Sequence, residues 1–380
     1  MTNRIQKEFR ERFYTEPTTI VSPGRINLLG EHLDYNGGVV LPTAINKYIT
    51  FAIGPVDSDH CTVVAADYGE TISFSLEDLK PHQGWISYFM GVVQGIRNVE
   101  RPHRGFNCVF GGDIPDGAGL SSSAALCCGI GFALNEIFDL KLKRLDLALI
   151  AQFAEHEFAG VKCGIMDQYA NLFSKKNFLL QLDCRLLTHE LVPFVLDDVE
   201  ILLIDTKVKH ELASSAYNDR RSACEWGVSQ VKELFPDVTS LRDVQESQLR
   251  AIEYKLTSAV FNNCLYVLQE MERVRVGVAL LRANDLLGFG RLMYQSHLGL
   301  GEQYEVSCAE LDYLVRMAED SNVLGSRMMG GGFGGCTINL VHKDKSHAFQ
   351  AHVAEKYQQQ FEVDPQFYRV EPADGVRLLS

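Results

Sequence analysis

The run Gly111-Gly112-Asp113-Ile114-Pro115-Asp116-Gly117-Ala118-Gly119-Leu120-Ser121-Ser122-Ser123-Ala124-Ala125 joins a strand-like segment to a helix-like one. Glycines take positive φ and let the main chain come close to a ligand. The free N–H groups at a helix start point outward, and the helix dipole adds positive potential there, so such a junction receives anions. Serine hydroxyls can cap the helix, donate to phosphate oxygens or bind a cation. A plain turn with a serine cap needs only one glycine and one serine. A proline, several glycines and three consecutive serines exceed that need.

A second group, Ser22-Pro23-Gly24-Arg25-Ile26-Asn27-Leu28-Leu29-Gly30-Glu31-His32-Leu33-Asp34-Tyr35-Asn36-Gly37-Gly38, concentrates Arg25, Glu31, His32 and Asp34 in a short span. A sugar presents a ring of hydroxyls that both donate and accept, and carboxylates with an imidazole suit it. Taken singly, these residues would read as solvated turn positions. Clustered between glycines, they read as a site.

Other phosphate motifs fail. The chain has no G-x-x-x-x-G-K-[ST] and no protein-kinase H-R-D or D-F-G set. Gly330, Gly332 and Gly335 match G-x-G-x-x-G, but the strand-like run Thr337 to Val341 follows where a dinucleotide fold needs a helix.

The chain has 380 residues, which favours two domains over one core. Its 46% hydrophobic and 22% charged residues are those of a globular protein. A formal net charge of -13 disfavours nucleic-acid and anionic-membrane partners, which need a broad positive field. An anionic ligand must then be held by local donors, a few basic side chains and a metal ion. The ten cysteines are scattered without a C-x-x-C pair, which suits reduced thiols rather than a disulfide framework or structural zinc. Met1 to Phe13 reads as an amphipathic helix without a signal core, and the apolar run Ala124 to Leu134 is too short to cross a bilayer. The expectation is a soluble, cytoplasmic, monomeric protein.

The elements that position these groups follow from periodicity. Val39–Ile45, Tyr48–Ile53, Thr62–Ala65 and Phe106–Phe110 read as strands, and Ile86–Val99 as a helix. Ser121 opens a helix to about Phe138, and a second runs from about Leu145 to Phe158, stopped by Gly160. Strands Phe178–Leu182 and Val199–Ile204 come next, then mainly helix to Glu319, and a strand Cys336–Val341. A domain boundary is expected near residue 195. No linker marks it, so the halves 1–195 and 196–380 should share a broad interface.

The serine loop resembles P-x-G-x-G-L-S-S-S-A, the ATP-binding motif of the GHMP kinase superfamily. The Arg25–Tyr35 stretch resembles G-R-x-N-x-x-G-E-H-x-D-Y of the galactokinase family within it. Gly325-Ser326-Arg327-Met328-Met329-Gly330-Gly331-Gly332-Phe333-Gly334-Gly335-Cys336 looks like the C-terminal loop that closes on the phosphates. That family usually has Thr or Ser where this chain has Met329, and often Ala where it has Gly331. Shorter stretches at Cys163–Gln168, Ala216–Arg221 and Tyr304–Cys308 fit as well.

The resemblance implies an α+β fold of two domains, with mixed sheets, helices packed on them and an active site in the cleft between. It implies transfer of a phosphoryl group from ATP, with Mg²⁺, to the anomeric hydroxyl of galactose. By the same resemblance Asp167 is the base and Arg25 its electrostatic partner. Glu31, His32, Asp34, Gly164 and Tyr217 contact the sugar. Gly117, Ala118, Gly119, Leu120, Ser121, Ser122, Ser123 and Ala124 bind ATP, with Ser121 and Ser122 on phosphate oxygens. Ser123 and Glu155 ligate the metal. Trp85 and Tyr88 are candidates for the adenine pocket. Two rivals remain: a kinase for N-acetylgalactosamine or another GHMP substrate, and a galactose sensor without catalysis. The complete serine loop and the presence of Asp167 speak against the sensor.

Overall fold

The structure, a computed structural model, describes residues 2–99, 104–115, 117–208 and 213–379. Asp116 of the serine loop and Met1 of the first helix lie outside the described residues.

The largest sheet has seven strands. Along it run Arg377–Leu378, Thr18–Asn27, Pro42–Pro55, Phe106–Gly112, His60–Ala65 and Glu70–Ser75, while Pro372–Ala373 also pairs with Pro42–Pro55. Helices Ile86–Asn98, Ser122–Ile137, Arg144–Glu157 and Met166–Phe173 pack together as a layer, and the second and fourth of them lie on the sheet. The helix Ser122–Ile137 is apolar on nearly all sides and is correspondingly buried from Ala124 to Leu134. Gly129 lets it lie close to the sheet, since a Cβ there would stand 2.2 Å from the Phe51 ring. The first helix, Thr2–Phe13, inserts Ile5 and Phe9 against Ala52, Val64 and Val109.

A second, antiparallel sheet orders Gly325–Met328, Cys336–His342, Val199–Asp205 and Gln366–Val370. Helices Leu286–Glu302, Ala309–Asp320 and Lys343–Phe361 pack against its strands. A third sheet of Val39–Val40, Phe178–Asp183 and Thr188–Pro193 borders the long helix Ser258–Arg282.

The expected helices and most expected strands are present within a residue or two. One difference has a clear cause. The two strands expected at Val39–Ile45 and Tyr48–Ile53 are instead the short Val39–Val40 and a continuous Pro42–Pro55. The polar pair Asn46-Lys47 reads as a turn, but it sits at a bulge where the register against the neighbouring strand shifts between Pro23 and Arg25. The ladder resumes on both sides of it. Strands Thr188–Pro193 and Gly325–Met328, the helix Lys343–Phe361 and the strands after it carry no strong sequence signal.

The largest of three apolar clusters among the described residues extends from Ile20 to Val376 and includes side chains from both sides of residue 195. The last strands return to the first sheet, so a cut at residue 195 leaves Pro372–Ala373 and Arg377–Leu378 in the N-terminal layer. Among the described residues, no helix is long and apolar enough to cross a membrane.

Candidate active site

Arg25 stands in Thr18–Asn27 just after its register shifts opposite the bulge in Pro42–Pro55, and Asp167 lies in the first turn of the helix Met166–Phe173. Arg25 Nε and Nη2 donate to the two Asp167 oxygens at 2.6 and 2.7 Å, a bidentate pair. Arg25 Nη1 donates to the Gly119 carbonyl at 2.5 Å, which ties the pair to the serine loop. The Ser121 hydroxyl also donates to Asp167 Oδ2. Ser121 adopts a left-handed conformation, φ 58°, as the N-cap of its helix. Burial by itself would lower the Arg25 pKa, but the Asp167 carboxylate, with Glu31 and Asp34 behind it, outweighs that and raises it.

Glu31 links the first motif to the third. Its Oε1 meets Arg327 Nη2 at 2.5 Å and the Gly330 N–H at 2.8 Å, while Oε2 accepts from Asn27 Nδ2 at 2.6 Å. Arg327 and Glu31 are both essentially inaccessible to solvent. His32 lies beside three tyrosines, with ring centroids 5.3 Å from Tyr217, 4.8 Å from Tyr304 and 5.8 Å from Tyr35. Burial, reinforced by the Arg327 and Arg220 charges, lowers its pKa to about 3, so the imidazole is neutral. Asp34 rests on Gly164, where a Cβ would stand 2.0 Å from its Oδ2; any side chain at 164 would displace it. Asp34 keeps part of its surface in the cleft although protein surrounds it. That enclosure, then the nearby Asp167 carboxylate, pushes its pKa up to about 7.

These groups line a cavity of about 230 Å³, and a neighbouring cavity of about 250 Å³ shares Ser123 with it. The first is bounded by Arg25, Glu31, His32, Asp34, Glu155, Asp167, Tyr217 and Gly331. The second has an aromatic and apolar wall of Trp85, Tyr88, Phe110, Ile114 and Leu126, with Ser122 at the loop end. Ser123 lines both. Trp85 packs edge-on against Phe110 at 5.1 Å and donates through Nε1 to Glu70 at 2.7 Å. Trp85 and Tyr88 share this cavity with Ser122 and Ser123 of the serine loop.

Where the cavities meet, Ser123 Oγ donates to Glu155 Oε2 at 3.1 Å, and Gln168 Nε2 donates to Oε1 at 2.7 Å. Glu155 is buried, and desolvation followed by the Asp167 charge raises its pKa to about 7. A buried carboxylate beside a hydroxyl, next to a second carboxylate and without a cation of its own, is a fitting oxygen set for a hard divalent ion. Among the described residues, no group of three or more His, Cys, Asp or Glu gathers to hold a metal unaided. An ion here would take its remaining ligands from phosphate oxygens and water.

The structure brings together Arg25, Glu31, His32, Asp34, Ser123, Glu155, Gly164, Asp167 and Tyr217 around one cleft. Ser121 differs from its expectation: its hydroxyl is committed to Asp167, whereas Ser122 faces the aromatic slot. Within the loop, Ala118, Leu120 and Ala124 are buried, and the Leu120 carbonyl accepts from the Arg25 N–H at 3.2 Å. Gly117 and Gly119 hold φ of 72° and 75°, which a side chain would strain. Met329 also buries its side chain in the core, so a polar group there would have no exposed role. A Cβ on Gly331 would come within 3.2 Å of the Tyr217 ring, so an alanine would crowd the cleft. Tyr35, Tyr304 and Arg327 bear on the site without having been assigned a role from sequence. Only their positions inside matching motifs hinted at them.

Comparison with known proteins agrees with this geometry. The chain matches the galactokinase galactose-binding signature over residues 7–55, the GHMP kinases N terminal domain over 87–175 and the GHMP kinases C terminal domain over 278–359. It is 36% identical to a galactokinase of Roseiflexus sp. (strain RS-1), covering 99% of this chain and 96% of that one. It is 37% identical to a galactokinase of Thermotoga maritima, covering 95% of this chain and 99% of that one. The crystal structure of Lactococcus lactis galactokinase complexed with galactose superposes with a TM-score of 0.94 at 32% identity, covering 98% of each chain. Methanococcus jannaschii mevalonate kinase shares the fold alone, with a TM-score of 0.67 at 17% identity over 94% of this chain and 99% of that one.

Proposed function

The chain belongs to the galactokinases, ATP-dependent sugar kinases of the GHMP superfamily, and from that premise we propose how its own residues divide the work. Galactose occupies the polar cavity and ATP the aromatic slot, with the transferring phosphoryl group between them at the serine loop. The observation that carries this reading is that two cavities of unlike chemistry meet at Ser123, within reach of the Arg25–Asp167 pair.

Asp167 accepts the proton of the anomeric hydroxyl as it attacks. Its bidentate clamp to Arg25 and the Ser121 hydroxyl fix both its oxygens in place before substrate arrives. Arg25 also lies against the Gly119 carbonyl, so its positive charge sits where negative charge spreads over the moving phosphoryl group. Glu31, His32, Asp34 and Tyr217 orient the sugar, with Gly164 holding Asp34 in place. The main chain of Gly117–Ala124, opening the helix Ser122–Ile137, receives the phosphates. Ser123 and Glu155 would hold a Mg²⁺ ion, which would supply neutralisation of phosphate charge.

The test is a coupled ADP assay over a panel of galactose, N-acetylgalactosamine, glucose, mevalonate and homoserine, with the phosphorylated position read by NMR. Turnover of galactose to its 1-phosphate, with the others far slower, is expected. Preferred turnover of N-acetylgalactosamine, mevalonate or homoserine, or phosphate at another carbon, overturns the assignment.

A further inference from the structure

His32 has one ring nitrogen bonded and one bare. Nδ1 lies 2.7 Å from the Tyr35 hydroxyl, while Nε2 has no hydrogen-bond partner although the residue is more than nine-tenths buried. His32 lines the polar cavity, so the bare nitrogen is the atom left for a ligand. The imidazole is neutral, held so by burial and by the Arg327 and Arg220 charges. A neutral imidazole has one donor and one acceptor, and which of them faces the ligand depends only on the tautomer.

Behind His32 the hydroxyls form a chain. The Tyr35 hydroxyl lies 2.9 Å from that of Tyr304, which in turn lies 3.3 Å from Cys224 Sγ. Tyr304 is fully buried, and Arg220 fixes its main chain by donating to the Tyr304 carbonyl at 2.6 Å. Each hydroxyl has a single hydrogen, so if Tyr35 donates to His32, its contact with Tyr304 needs the Tyr304 hydrogen and the Tyr304–Cys224 contact needs the thiol hydrogen. A phenol is a far stronger acid than a neutral imidazole N–H, and an imidazole lone pair is a better acceptor than a phenol oxygen. The short Tyr35–His32 contact therefore favours O–H donating to Nδ1.

We infer that Tyr304 and Tyr35 are positioning residues whose hydroxyls run as donors toward His32 Nδ1, fixing the Nε2–H tautomer so that the sugar meets a hydrogen-bond donor at that point. In this arrangement Cys224 donates to Tyr304, Tyr304 to Tyr35, and Tyr35 to His32. The sugar oxygen facing His32 must then accept, leaving its own proton for a neighbouring carboxylate. A ligand that offers only a donor there leaves Nε2–H unpaired in a buried site, which is the costly mismatch. Tyr304 belongs to the loop after the helix Leu286–Glu302, so the C-terminal half of the chain sets the polarity of a group in the N-terminal half.

The proposal rests on the sugar-kinase reading for its consequence but not for its first measurement. In ¹⁵N-histidine-labelled enzyme without ligand, long-range proton–nitrogen correlation reports the His32 tautomer, the signal being identified by its loss in His32→Gln. A pyridine-type Nδ1 and a pyrrole-type Nε2 are expected; the reverse pattern overturns the proposal. Tyr304→Phe should shift the pattern toward a mixture and raise KM for the sugar roughly 3- to 10-fold, the loss of about one hydrogen bond, with KM for ATP unchanged. An unaltered tautomer with an unaltered sugar KM overturns it, as does an equal rise in both KM values. If Tyr304→Phe does not fold, Tyr35→Phe removes the donor itself and carries the same expectations. Failure of the enzyme to use galactose would leave the tautomer result standing, so the two readings fail separately.

Discussion

The cavity proposed for the sugar and the one proposed for the nucleotide are neighbours built on opposite principles. The sugar side is a set of buried charges and polar side chains, each tied to another: Arg25 to Asp167, Arg327 to Glu31, Asp34 seated on Gly164. The nucleotide side has few such bonds. It consists of main-chain groups in a glycine turn and flat aromatic surfaces around Trp85. The difference follows from what each must distinguish. Hexoses differ by the direction of one hydroxyl, and only fixed, directional partners penalise the wrong one. A nucleotide offers a broad ring and a string of phosphates, which generic stacking and N–H donors hold well. Discrimination is thus built from desolvated charges, and adhesion from main chain and ring faces.

That contrast can be broken from the chemical end first. Asp167→Asn should lower kcat by roughly 10²- to 10⁴-fold while ATP still binds, because the carboxamide cannot take the proton. Turnover within a few-fold of wild type, followed by the coupled assay, would remove Asp167 as the base. Next is Arg327→Met. Removing one partner of a buried ion pair should cost about 3–5 kcal/mol, read as a fall in the denaturant midpoint, since Glu31 is left with a charge it cannot hydrate. A loss below about 1 kcal/mol would mean the sugar side is less dependent on buried charge than described here.

At the nucleotide end, Trp85→Ala should raise KM for ATP roughly 3- to 10-fold, in line with the loss of one aromatic contact, and leave KM for galactose nearly constant. Equal effects on both substrates would blur the division between the cavities. The smallest effect is a pH dependence. Asp34 titrates at about 7 in the empty protein, above its value in the unfolded chain. Its contribution to stability is therefore complete below the unfolded value and is lost as pH rises through about 7. The melting temperature of wild type relative to Asp34→Asn should fall between pH 4 and pH 8; a constant or rising difference would contradict the burial of that carboxylate.

Sequence reading was strongest where chemistry and local structure coincide. The helices Ile86–Asn98, Ser122–Ile137 and Arg144–Glu157 were legible because their apolar periodicity and end signals are local. The Arg25–Asp34 cluster and the serine loop stood out from their own residues, whereas Glu155, Gly164, Asp167 and Tyr217 were expected only through the resemblance to the galactokinases. What stayed hidden depends on distant partners. The bulge at Asn46-Lys47 looks like a turn until the opposite strand supplies its register. Ser121 looks like a phosphate donor until the fold brings Asp167 within reach, 46 positions along the chain. Arg327 reads as an ordinary cation, and only the meeting with Glu31 makes it a buried brace. Adjacent strands that alternate weakly, such as Thr188–Pro193, gave no period strong enough to register.

The return of the last strands to the first sheet has a consequence for synthesis. Until Arg377–Leu378 leaves the ribosome, the strand Thr18–Asn27, which carries Arg25, has an open edge at Ile20 and Val21. Open edges recruit other strands, so a nascent chain stalled late is exposed to misassembly at the same strand that later anchors the catalytic pair. That edge is sealed only once Arg377–Leu378 has been made, and a change that keeps this segment from docking would leave the sheet open beside the strand that carries Arg25.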